Sequence, residues 1–106
     1  MKVAVPIWQN RISPLFDVAE ILALFDIDKN HAQRYRELCF PSEDSSERIQ
    51  MIHTMHIDVL LCAGISEPME RTLTSLGITV IPNVCGPVDE VITAFVHGRI
   101  EKNGYE

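Results

Sequence analysis

The chain has 106 residues, 46% of them hydrophobic, with 9 Lys and Arg against 15 Asp and Glu and a formal net charge of −6. That length suits one domain, residues 1–106, which can bury a core without disulfides. The acidic balance argues against nucleic acid and against a polybasic membrane contact, though one local site can still attract an anion. No apolar run approaches the ~20 residues of a membrane span. Met1-Lys2 leads straight into a strand with no signal peptide, so a cytoplasmic protein with reduced thiols is expected. Its three cysteines, Cys39, Cys62 and Cys85, lack CxxC spacing and form neither a disulfide framework nor a standard zinc pattern.

Lys2 to Trp8 is apolar and β-branched, the pattern of a central strand. Pro6 has no N–H to give a ladder, which places it near the strand's end or at an irregularity. Gln9 to Pro14 is a polar loop with the only tryptophan at its mouth and Asn10, Arg11 and Ser13 as donors. Leu15 to Ala19 reads as a short turn. Glu20 to Asp28 is a second strand, apolar on both faces and therefore inside the sheet. Lys29-Asn30 is a tight connection in which Asn30 suits a positive φ. His31 to Leu38, rich in Gln, Arg and Glu, is a third strand on an edge, where charge discourages further pairing.

Asp44 and Glu47 have capping-box spacing and open a helix that runs to about Met55. Ile49, Ile52 and Met55 form its apolar stripe, with Met51 beside it. His53 and His56 sit i, i+3 on one flank without a nearby acid or third ligand, and read as a surface pair. Asp58 to Cys62 is a fourth strand. Ser66-Glu67-Pro68 starts the next helix, Met69, Leu73 and Leu76 face the core, and Gly77 ends it. Ile78 to Pro82 is a fifth strand and Asn83 to Gly86 a turn. Pro87 opens the last helix, whose stripe is Val88, Val91, Ile92, Phe95 and Val96. Gly98 closes it, and Arg99 to Glu106 reads as a loose polar tail.

The first three strands suit a meander. The fourth and fifth arrive through helical crossovers and should run parallel to the first. The expected fold is α/β: a three-layer α/β/α arrangement around a five-stranded mixed sheet of order 3-2-1-4-5, with strand two antiparallel. This is the ribonuclease H-like layout. Ligands of open α/β sheets bind beyond the carboxyl ends of strands where the connections reverse. Here that brings together Trp8 to Ser13, Cys62 to Ser66 and Asn83 to Pro87.

The candidate binding residues on these loops are Trp8, Asn10, Arg11, Ser13, Cys62, Gly64, Ser66, Cys85 and Gly86. Two helix N-termini and two glycines there favour an anion. Cys62 and Cys85, each near a helix N-terminus, are the candidate metal ligands, because a thiolate suits copper(I), zinc or an iron–sulfur species. The alternative is that the glycines only turn the chain and Cys62 is a buried small hydrophobe. Metal-dependent nuclease chemistry needs clustered acids near the sheet centre, and Lys2 to Trp8 contains none. A cysteine nucleophile needs a histidine base, and His53, His56 and His97 lie on helices with no evident route to Cys62.

The pieces Met1–Trp8, Arg11–Ala19, Asp58–Ser66, Gly77–Pro82 and Cys85–Ile92 together resemble the dinitrogenase iron–molybdenum cofactor biosynthesis family of nitrogenase accessory and cluster-carrier domains. The resemblance implies a ribonuclease H-like fold. It also implies non-catalytic binding of an iron–molybdenum cofactor, its precursor or another metal–sulfur cluster, for delivery to a recipient protein or for storage. Assigning Cys62 and Cys85 to that role is an inference from the converging loops. The alternative from another class is a regulatory module that binds a small anion or a protein without metal. A cysteine-dependent enzyme is a third.

Overall fold

The computed structural model describes residues 1–101 and 104–105. In chain order the elements are β1 (Lys2–Trp8), β2 (Arg11–Ile12), a 3₁₀ turn (Phe16–Val18), β3 (Ile21–Asp28), β4 (His31–Cys39), α1 (Ser45–Thr54), β5 (Val59–Leu61), α2 (Glu67–Ser75), β6 (Thr79–Ile81), α3 (Val88–Val96), β7 (Ile100–Glu101) and β8 (Gly104–Tyr105).

Successive strand residues point to opposite faces, so β1 feeds two cores. Val3, Val5 and Ile7 enter one, with Ala23, Phe25 and Ile27 of β3 and Val88, Val91, Ile92 and Ala94 of α3. Ala4 enters the other, with Leu22, Leu24, Leu60 and Val80 from neighbouring strands and Ile52, Met69 and Leu73 from α1 and α2. The result is three layers: α1 and α2, the mixed sheet, then α3. Each fully buried leucine or phenylalanine contributes roughly 1.5–3 kcal/mol relative to exposure.

The sheet path is β4-β3-β1-β5-β6. β5 and β6 run parallel, as do β1 and β5, while β3 is antiparallel to β1 and β4. This is the order and direction expected from the sequence. The count of five strands is corrected to six, because β2 folds back on β1 with Ile7 opposite Ile12 and Trp8 opposite Arg11. Gln9 and Asn10 make the turn with φ of 51° and 61°, as a two-residue type I′ connection requires. Pro6 lies inside β1, above its last pair with β5, Ala4 opposite Leu60. Its carbonyl accepts the Ser13 N–H at 2.8 Å.

Several local expectations are corrected. Lys29 rather than Asn30 takes the positive φ, at 57°. Leu76 caps the end of α2 and is 42% exposed, because the helix stops before a third core turn is completed. The expected loose tail pairs instead as the hairpin β7–β8, with Ile100 buried in the α3-side core. Lys102, Asn103 and Glu106 lie outside the described residues.

α1 buries Arg48 and Ile52, while Ile49, Met51 and Met55 only pack at its margin. The Arg48 guanidinium lies 4.2 Å from the Phe40 ring centroid, and Nη1 donates to the Phe16 carbonyl at 3.1 Å. Burial lowers the Arg48 pKa, against the opposing influence of Glu43 and Asp17. The side chain thus ties α1 to the turn that precedes β3.

Leu73→Ala opens a cavity in the α1/α2-side core and costs about 2–5 kcal/mol. Leu76→Ala should stay within about 0.5 kcal/mol of the parent. Urea unfolding of the two variants checks the contrast.

Candidate functional site

Parallel β1, β5 and β6 deliver their carboxyl ends to one edge of the sheet. Backbone hydrogen bonds then join the loops beyond them. Ile12 N–H donates to Gly86 O at 3.0 Å and Val88 N–H to Asn10 O at 2.9 Å, binding the β1–β2 hairpin to the β6–α3 loop. Asn83 N–H donates to Ala63 O and Val84 N–H to Cys62 O, each at 2.9 Å. Gly64 N–H donates to Pro14 O at 2.9 Å and its carbonyl accepts Phe16 N–H at 2.8 Å. The three loops anticipated from the sequence therefore form one surface.

Gly64 makes this seam possible. A Cβ there would lie 2.8 Å from the Pro14 carbonyl oxygen, closer than backbone contact allows. Gly86 turns the third loop with φ of +117°, a conformation glycine adopts without a Cβ penalty.

Three of the sequence-derived site residues are committed inward. Gly64 spends both backbone polar groups on the seam. Ser66 caps α2 by accepting Met69 N–H at 3.4 Å. It also gives its own N–H and hydroxyl to the Asp17 carboxylate at 2.8 and 2.5 Å. The positive end of α2 is thus already met by a carboxylate from the same chain. Cys62 is fully buried in the α1/α2-side core. Burial, with Glu70 and Asp17 adding smaller repulsion, pushes its thiol up to about 12.

The others face outward or line a hollow. Trp8, Asn10, Arg11 and Cys85 are exposed, and Gly86 is half-buried. Ser13 is buried but borders a cleft of about 290 Å³, together with Ile7, Trp8, Pro14, Val18, Ala19 and Glu20. Trp8 pairs with Arg11 on one side. On the other, Glu20 takes the next position after the Ile7–Ile21 pair. Trp8 thus has Arg11 as its hairpin partner and shares the cleft wall with Glu20. The α3 N-terminus adjoins this edge without a side-chain cap.

Among the described residues no group of three or more His, Cys, Asp and Glu side chains gathers as a metal site. His56 follows the end of α1 with φ of 56° and is exposed, as is His53. Sequence reasoning missed Asp17, Val18 and Glu20. Asp17 reaches Ser66 across 49 positions, which no local pattern signals. Glu20 was readable only once the β1–β3 register was known.

Comparison with known proteins places this geometry. The family described as "Dinitrogenase iron-molybdenum cofactor" matches residues 1–98. The chain belongs to that family. The crystal structure of PH0822 superposes with a TM-score of 0.86 at 26% identity, covering 92% of this chain and 90% of the other. An uncharacterized protein of Methanocaldococcus jannaschii is 24% identical over 107 residues, 96% of this chain and 91% of the relative. The apo form of the orange protein from Desulfovibrio gigas shares the fold, with a TM-score of 0.73 at 18% identity over 92% of this chain and 88% of its own.

The family member described here holds the Cys62 proton more tightly than its unfolded chain, whose thiol has the ordinary value of 9.0. The stabilisation is complete below pH 9 and is lost as pH rises from there toward about 12. At pH 8, a thiol reagent should therefore modify exposed Cys39 and Cys85 in the native protein and reach buried Cys62 only after denaturation. Mass mapping of the labelled cysteines checks this. Labelling of native Cys62 at the rate of Cys85 would contradict the assignment.

Proposed function

We propose that the β1–β5–β6 edge carries an iron–molybdenum cofactor, its precursor or another metal–sulfur cluster as cargo, without catalysing a reaction on it. The observation that carries this reading is the joining of three loops of a family member into one surface that leaves Arg11 and Cys85 facing outward. The strand order, with β3 as the antiparallel member, supports reading the layout as ribonuclease H-like.

The donor set fits a negatively charged cargo better than a bare metal ion. At this edge one exposed thiol, Cys85, offers a single soft ligand. Arg11 supplies a fixed positive charge, Asn10 supplies amide donors, and the α3 N-terminus adds partial positive charge. Sulfides or an organic acid on the cargo would meet these groups. In this reading Cys62, Gly64 and Ser66 build the platform rather than touch the cargo. A thiol held protonated near neutral pH is also a poor nucleophile, which weakens the cysteine-enzyme alternative. The second reading, a protein-interaction module without metal, is favoured by one observation: exposed Trp8, Leu15 and Val18 lie on the same stretch.

Anaerobic reconstitution with iron, sulfide and molybdate, followed by metal analysis and visible absorption, tests the proposal. Cluster uptake should survive Cys62→Ala. It should weaken by about tenfold in Arg11→Ala, the cost of a charge-assisted hydrogen bond, and also fall in Cys85→Ala. Absence of uptake by the parent, or uptake unaffected by both Arg11→Ala and Cys85→Ala, would overturn it.

A further inference from the structure

Trp8, Leu15 and Val18 are three of the six exposed large hydrophobic side chains among the described residues. Single apolar side chains on a surface need no explanation, whereas several in one short stretch mark a contact surface. Trp8 is 59% exposed, and the cleft beside it has apolar walls from Ile7, Pro14, Val18 and Ala19. Glu20 is the one charged residue lining that cleft. Glu20 lines the cleft with Trp8, immediately before β3, and has no ion-pair partner among the described residues.

We propose that the Trp8–Glu20 cleft is a docking site for a partner protein that seats an arginine or lysine side chain in it. An indole face attracts a cation through its quadrupole, and a carboxylate attracts it by charge. The two occupy neighbouring positions here. Val18 and Ala19 suit the aliphatic stem of a long basic side chain, whose charged head then reaches Glu20. The net charge of −6 draws a basic partner toward the whole surface. Arg11, on the opposite flank of Trp8, repels a second cation and keeps that flank for anions. With Glu20 in the cleft beside Trp8 and Arg11 as its hairpin partner, the edge has a cation-accepting side and an anion-accepting side. The docking role adjoins the edge of the cargo reading but uses none of its donor groups and needs no metal.

Trp8 is the only tryptophan, so its emission reports the cleft directly in metal-free protein. The probes are the blocked tripeptide Leu-Arg-Leu and its counterpart with citrulline in place of arginine, which keeps the shape and removes the charge. The arginine peptide should change the emission saturably. Its affinity should exceed that of the citrulline peptide by about fivefold, the combined scale of an exposed cation–π contact and a surface ion pair. The same loss should follow Glu20→Gln, a change at an exposed side chain outside both cores. Equal affinity for the two peptides, an affinity unmoved by Glu20→Gln, or no saturable change would overturn the proposal. Cluster uptake by Glu20→Gln protein should match the parent, so failure of docking and failure of cargo binding are read separately.

Discussion

The joining of the loops at the β1–β5–β6 edge depends on the absence of one side chain. At Gly64 the chain passes so close to the Pro14 carbonyl that a Cβ would lie 2.8 Å from it. That approach allows the two hydrogen bonds that join the β5–α2 loop to the segment after β2. Around this seam the hairpin, the β5–α2 loop and the β6–α3 loop lock together through backbone groups alone. Backbone closure leaves side chains free, which is why Trp8, Arg11 and Cys85 can face outward from a firm base. A surface built this way would lose little conformational entropy on binding the proposed cargo.

A second set of contacts supports the seam from below. Asp17 accepts two hydrogen bonds from Ser66, and Arg48 holds the adjacent Phe16 carbonyl while stacking on Phe40. α1, the 3₁₀ turn and α2 are thereby tied at the point where the loop passes back toward β3. The polar groups of this region serve position rather than chemistry. Cys62 belongs with them: its strand-end place suggested a reactive thiol, but the pleat turns it into the core. The side chains left exposed at this edge include Arg11 and Cys85, and Glu20 lines the cleft beside Trp8.

The sheet was legible in the sequence wherever residues signalled their own environment. Runs such as Val3 to Ile7 and Leu22 to Phe25 announce strands buried on both faces, and crossover helices then dictate parallel pairing. The convergence of three loops followed from that order. β2 was not legible, because two residues after a Gln-Asn turn carry no strand pattern of their own. Arg48 was not legible either, since a charged residue on an amphipathic helix reads as solvated unless an aromatic ring and a carbonyl are known to await it. The roles of Cys62 and Ser66 turned on which way a side chain points after a strand ends. Only tertiary packing fixes that direction.

Native-state amide hydrogen exchange tests most directly whether the edge is held as one piece. The probes are the N–H groups of Gly64, Phe16, Ile12 and Val88, all bonded between loops. If the seam is part of the cooperative structure, these amides exchange with the same opening free energy as those of Val5 and Leu24 in the central strands. Exchange through a separate, lower-energy local opening of the loops, while the central strands stay protected, would contradict the account.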